Sequence, residues 1–516
     1  MGVSDNNTTN YKTQLNGRLQ YETTIAQNHN IGAMFVYSEE YWHTRSTGAS
    51  RNDRIHPSTS EINAALTNVQ SNSGSSASEG LRSYIGRMNY SAYDKYLLEF
   101  SFRVDGSSKF IKGHQYGFFP TVAVGWRFTE EEFLKKYLSS WLSSGKLRAS
   151  WGKLGDNSGV DRFEQLETLT AMNYMSSDVV KGFVNKKMIN KDLSWEVSTD
   201  INVGLDLGFL NNRLRTEIDF YNRLRTGMNR PSQMSIHLTG AYSAPRANIG
   251  DLLNRGLELN LTWKDKIGNV EYSVNLNGAY NRTVLKEWNE FLSRGWVYLD
   301  MPYHFLYVYE NNGIAQTWQD IYNNTPQGLS PGDVIRKDLN GDGIIDGKDK
   351  KAYPNIQRDR PTTTYGITLQ AAWKGFDISM LFNGGLGRKD FWLTDFNNTA
   401  FADRRYASTW DHWTEPWSLE NRGGEWPRLG TSTDRSDNSY WLYNMNYLRM
   451  KNIMLGYNLP KKLLSKISMT NLRIYASAEN LFTVTQYPGL DPEKKNSARD
   501  LYPINRSFSI GLNVSF

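Results

Sequence analysis

Strict two-residue alternation, repeated over segments of about ten residues, limits the fold of this chain more than any other feature of its sequence. In 200–209 the apolar residues Ile201, Val203, Leu205, Leu207 and Phe209 alternate with a set that includes Asp200, Asn202 and Asp206. In 213–221, Leu214, Thr216, Ile218 and Phe220 are opposed by Arg215, Glu217, Asp219 and Tyr221. Leu257, Leu259, Leu261 and Trp263 form a third set, and Tyr272, Val274, Leu276 and Tyr280 a fourth, set against Glu271, Ser273, Asn275 and Asn277. The chain ends with Phe508, Ile510, Leu512, Val514 and Phe516 alternating with small and polar residues. A period of two puts each set on its own face of a strand. The polar sets carry carboxylates, amides and guanidiniums, which is too polar for the inside of a dry core.

On this basis strands are predicted at 11–22, 30–40, 82–92, 95–106, 116–129, 146–154, 196–210, 213–224, 255–264, 270–283, 363–373, 376–386, 445–459, 471–482 and 506–516. Most have the length that a tilted membrane-spanning strand needs. Their connections fall into two classes. Tyr93-Asp94, Asn211-Asn212, Lys374-Gly375 and 264–269 are short, whereas 41–81, 155–195, 225–254, 284–362 and 387–444 are long. If the C-terminus lies in the periplasm, every tight turn falls there and every long loop outside, as in outer-membrane barrels. The connection 129–145 is long for an inner turn and reads as a short helix, and 107–115 is short for an outer loop. The expected fold is all-β, a partial transmembrane antiparallel β-barrel of about fifteen strands. A complete bacterial barrel has an even count, so the first strands are expected to lie outside these 516 residues. Soluble sandwiches, propellers and solenoids also alternate, but with shorter strands and without two classes of connection.

Composition agrees. A mean hydropathy of −0.60 and the lack of any apolar run of 18 residues argue against membrane-spanning helices, while saying nothing against a barrel, whose alternating faces average to polar. Thirty Tyr, 22 Phe and 16 Trp suit two interfacial girdles. The absence of Cys excludes disulfides, zinc–thiolate sites and cysteine nucleophiles. A net charge of +6, with no basic stripe interleaved with stacking aromatics, argues against nucleic acid as a partner. The opening MGVSDNNTTNYKTQLNG has no basic and apolar leader pattern, so an export signal is expected upstream.

Several blocks resemble the SusC/RagA outer-membrane proteins of Bacteroidetes-type bacteria. They include LRSYIGRMNYSAYDKYLLEFSFRVDGSSKF (81–110), KLRASWGKLGDN (146–157), GDVIRKDLNGDGIIDGKDK (332–350), LRIYASAENLFTVTQYPGLDPE (472–493) and the terminal FSIGLNVSF, in the expected order. The resemblance implies a 22-stranded barrel with an internal plug, a SusD-like surface lipoprotein acting as a lid, and energy from TonB through an N-terminal box. On that pattern residues 1–516 are the C-terminal part of the barrel, and the signal peptide, N-terminal extension, plug, TonB box and first strands are not among them.

Four local features stand out. DLNGDGIIDGKD places Asp338, Asn340, Asp342, Ile344 (through its carbonyl), Asp346 and Asp349 at positions one, three, five, seven, nine and twelve, with Gly343 at six, the spacing of a Ca²⁺ loop. An Asx-rich turn without an ion has the same composition. Trp410, Trp413, Trp417 and Trp426 crowd one outer loop, where flat rings either stack on sugar or peptide substrate or anchor and pack the loop. Phe516, at the end of an amphipathic last strand, resembles the signal that barrel-assembly machinery reads. Asp411 and His412 beside Glu415 have no serine elbow, phosphate loop or metal set with them and read as polar loop residues. The function expected is therefore not enzymatic: it is TonB-dependent import of a bulky oligosaccharide or peptide across the outer membrane. A soluble or surface carbohydrate-binding β protein and a plugless passive pore are the alternatives.

Overall fold

A computed structural model describes residues 2–66, 70–138, 141–175, 179–185, 187–239, 244–290, 298–302, 305–391, 415–428, 438–464, 469–494 and 503–516. Fifteen strands form one antiparallel sheet in which each pairs with its neighbours in sequence. They are β1 (Val3–Ile25), β2 (His29–Arg51), β3 (Gln70–Ala92), β4 (Tyr96–Ser107), β5 (Tyr116–Trp126), β6 (Leu142–Asp156), β7 (Glu196–Phe209) and β8 (Leu214–Thr226), followed by β9 (Asp251–Ile267), β10 (Val270–Glu287), β11 (Thr363–Trp373), β12 (Phe376–Leu386), β13 (Tyr447–Asn458), β14 (Asn471–Thr485) and β15 (Ser507–Ser515). Each predicted strand corresponds to one of these. Among the described residues, no pairing joins β1 to β15.

Register carries the alternation around the whole sheet. Leu205 faces Ile218, Ile218 faces Leu259, and Leu261 faces Leu276, which faces Ile367. Register partners share a face, so the apolar rows join into one continuous outward band. The intervening rows, with Asp219 opposite Glu258 and Asn260 opposite Asn277, line the inside. In β9 the band runs from Leu257 to Trp263, roughly 20 Å along the strand, comparable to the apolar belt of a membrane barrel.

The two classes of connection are separated as expected. At one end lie tight turns such as Lys374-Gly375, whose φ values of 45° and 91° are both positive, as a two-residue type I′ hairpin requires. The 127–141 connection at this end contains the expected short helix, Glu132–Leu138. The long loops gather at the other end.

One expectation needs correction. The first three strands are each 23 residues long, so the predicted outer loop 41–81 shrinks to 52–69. The added segments are rich in Ser, Thr, Gly and Asn, as in STGAS (46–50) and QSNSGSSAS (70–78). They rise above the lipid with water on both faces, where the backbone ladder persists but no apolar set is needed to mark it.

Candidate functional site

The inward face is a polar wall crossed by ion pairs. Arg148 on β6 bridges Asp206 on β7 at 2.7 Å and Asp219 on β8 at 2.9 Å. Arg87 meets Glu99 at 2.6 Å, Arg223 meets Asp200 at 2.7 Å, and the Nε of Arg473 donates to Asp377 at 3.0 Å. Between them runs an amide ladder, with Asn275 donating to Asn260 and to Thr262, each at 2.8 Å. These pairs are partly exposed to the lumen, where each is worth at most about 1 kcal/mol. Their effect is instead to keep the wall hydrated and nearly neutral. A cavity of ≈ 860 Å³ lies against this face, lined by Glu22, Arg87, Glu99, Lys146 and Arg148 among others. Nearer the outer end, Arg223, Arg225, Asn254 and Arg360 help line a second of ≈ 540 Å³.

Above the wall, the β10–β11 and β12–β13 loops interlock. Phe305–Tyr309 pairs with Lys350–Gln357, Asn311–Ile314 with Val334–Arg336, and Lys389–Phe391 with Leu442–Asn444. Leu306, Val308, Phe391 and Trp441 form their shared core, with Tyr353, Ile356 and Trp426 packed against it. Trp417 is only 7% exposed. Its indole donates to Gln316 at 2.9 Å, and its ring lies against Gly332, where a Cβ would approach to 2.5 Å. Trp426 packs on Trp441 with ring centroids 6.2 Å apart. Both tryptophans therefore serve loop packing, and neither offers a wholly free ring face; Trp410, Trp413, Asp411 and His412 lie outside the described residues.

Sequence reasoning missed the clamp that ties the last outer loop to these two. Arg388, 1% exposed, donates to the carbonyls of Arg358, Pro492, Glu493 and Lys494 at 3.0–3.1 Å. Arg449 meets Asp491 at 2.8 Å with both side chains buried, and also Glu493, which accepts from Tyr447 at 2.8 Å. Tyr487, packed on Met445, has its phenol pKa raised by burial. In the sequence YPGLDPE stands out only as part of a family block, since partners some 40 to 105 residues distant leave no local pattern.

The Asp338–Asp349 loop is held by its own amides. Asp338 accepts from Gly341 at 2.7 Å and Gly343 at 2.9 Å, and from the Thr325 hydroxyl at 3.1 Å. Burial alone would raise its pKa, but the Gly343 and Gly341 N–H groups outweigh this and hold it below the usual carboxylate value. Asn340 donates to Asp342, whose other oxygen accepts from Ile344, itself an exposed residue. Asp346 caps the turn Gly347–Asp349. The fully buried Asp349 accepts from Leu339 at 2.9 Å and Asp346 at 2.8 Å. These hard oxygens suit Ca²⁺ chemically, yet among the described residues no three acidic or His side chains are already gathered around a metal position.

At the C-terminus, Phe508, Ile510, Leu512 and Phe516 stand well exposed, in keeping with a lipid-facing row.

A family profile described as "TonB dependent receptor-like, beta-barrel" matches residues 2–481. TonB-dependent receptor P3 of Formosa agariphila is 30% identical over 84% of this chain and 45% of its own length. For TonB-dependent receptor SusC of Bacteroides thetaiotaomicron the figures are 30%, 84% and 44%. The chain thus spans a little under half the length of these relatives. Among solved structures, the RagAB peptide transporter superposes with a TM-score of 0.84 at 22% identity, over 99% of this chain and 56% of that one, a likeness of fold. Inward charge, an outward apolar band and a profile covering nearly the whole sheet lead to one assignment: this chain belongs to the TonB-dependent receptor β-barrel family, in its SusC/RagA group, a family of outer-membrane transporters and not of enzymes.

Proposed function

We propose that this chain forms the wall and outer loops of an importer for bulky polar nutrients, oligosaccharides or peptides. In this reading a SusD-like surface lipoprotein covers the outer loops, and TonB supplies energy through a plug and N-terminal box outside residues 1–516. The observation that carries it is the hydrated, ion-paired inner wall beneath a large interlocked loop assembly: the wall suits a polar solute, and the loops present a broad surface for a lid. The relatives' names support the reading, one being SusC and another a peptide transporter. The test is uptake of labelled oligosaccharide and peptide pools by cells carrying the intact gene, with and without TonB, together with native co-purification of surface lipoproteins. Uptake that persists without TonB would favour a passive pore. A protein that retains glycan on the cell surface with no uptake would favour a simple binding role.

The Asp338–Asp349 loop is proposed to take one structural Ca²⁺ through Asp338, Asn340, Asp342, the Ile344 carbonyl, Asp346 and Asp349, stiffening the outer loop. Its test is amide exchange of 325–350 in Ca²⁺ and in chelator: slower exchange with Ca²⁺ supports the site, and identical exchange removes it. Phe516 is proposed as the assembly signal, to be checked by the yield of folded barrel after Phe516→Ala.

A further inference from the structure

Arg255 on β9 and Arg282 on β10 are register partners, so their side chains leave the sheet on the same face with Cβ atoms roughly 5 Å apart. That face is the outward one: the next pairs along the row are Leu257 with Tyr280, Leu259 with Gly278 and Leu261 with Leu276. Leu257 is 47% exposed and Tyr280 48%. The two guanidiniums therefore stand just beyond the outer margin of the apolar band, on the perimeter and not in the lumen.

Like charges placed directly across strands destabilise a sheet, and a neighbouring acid usually relieves them. None does so here. The neighbours along the outward row are Phe220, Asn222 and Leu224 on β8, Leu253 on β9 and Val284 on β10. Arg255 donates from Nε to its cross-strand partner Asn222 at 2.7 Å. The Nε of Arg282 is buried with no hydrogen-bond partner. Among the described residues neither arginine forms an ion pair. A pair of guanidinium forks at headgroup depth, with donors to spare, matches one tetrahedral dianion, because Arg binds phosphate oxygens two at a time.

We propose that Arg255 and Arg282 bind the phosphate of an outer-leaflet lipid of lipid A chemistry, fixing one lipid beside the β9–β10 hairpin below the long outer loops. The long side chains reach the headgroup layer while their stems cover apolar surface. The same chemistry on the lumen side would serve a substrate. On the outward face of an outer-membrane barrel it meets lipid headgroups.

The test is native mass spectrometry and competitive binding on the protein purified from outer membranes and placed in nanodiscs, with phosphorylated lipid A, enzymatically dephosphorylated lipid A and inorganic phosphate as separate probes. The expected result is one retained phosphorylated lipid, weaker binding of the dephosphorylated form by about tenfold or more, and no displacement by millimolar phosphate. Arg255→Gln/Arg282→Gln should lose the retained lipid while the barrel remains heat-modifiable on gels, and Arg215→Gln, on the inner face, should not. Equal binding of the two lipids, retention in the double variant, or displacement by inorganic phosphate would overturn the proposal. The comparison of headgroups uses the unsubstituted protein, so it decides the matter even if the double variant does not fold.

Discussion

The wall and the outer-loop assembly are built from similar residues by opposite rules. In the wall, a residue's surroundings follow from its parity: Leu259 meets lipid and Asn260 meets water because they are adjacent on a strand. In the loops, Trp441 is buried although no period marks it, because Leu306, Val308 and Phe391 converge on it from sequence positions 50 to 135 residues away. The loops pack as an ordinary protein interior does, and the buried Arg388 is satisfied there by carbonyls on all three of its nitrogens. The wall has no such interior, and its stability rests on ladder hydrogen bonds and on matching each face to its solvent.

Four experiments would break or sharpen this contrast. The largest effect is expected for Arg449→Ala, which strands the buried carboxylate of Asp491; removing one partner of a buried pair costs about 3–5 kcal/mol. Faster amide exchange should be confined to 486–494 and the loops it touches, and an even spread through the belt would show that loops and wall are one unit. Next, Leu259→Arg should destabilise the barrel in lipid vesicles by about 2–4 kcal/mol, whereas Asn260→Arg should change the unfolding free energy, read from urea titration, by no more than about 0.5 kcal/mol. Equal effects would defeat the assignment of faces.

A smaller effect is expected at Gly332, whose φ of 92° and contact with Trp417 leave no room for a Cβ. Gly332→Ala should cost roughly 1–3 kcal/mol, read as proteolytic nicking of the outer loops with the belt intact. The smallest concerns pH. The pKa of Asp338 is lowered on folding, so its contribution is present above the unfolded carboxylate value and is lost as the pH falls through the folded one. Acidification through that range should speed exchange at 339–344 before it touches the wall. No pH dependence there would mean that the Gly341 and Gly343 amides do not hold the ionised form.

Much of the wall was legible because lipid imposes a period. All fifteen strands and the sides of their turns follow from alternation and loop length, with ends displaced by three or four residues at strands such as β6, β9 and β10, and by far more where β1, β2 and β3 leave the membrane and the period stops mattering. The site was legible only in part. The acidic loop announced itself through spacing and the tryptophans through density, but density could not separate a packed ring such as Trp417 from an open one. The Arg388 and Arg449 clamp and the Arg148 bridge join residues 30 to 106 positions apart, and the spacing of such residues in the sequence carries no sign of their meeting.

What the order of residues determined unaided is which row of each strand faces hydrocarbon, since a polar group left in lipid without a partner costs several kcal/mol and the chain must alternate to avoid it. Which arginines meet which carboxylates, which tryptophans are buried, and that Arg255 comes to stand opposite Arg282 were decided by register and loop packing, because those contacts depend on where distant segments are brought together in space.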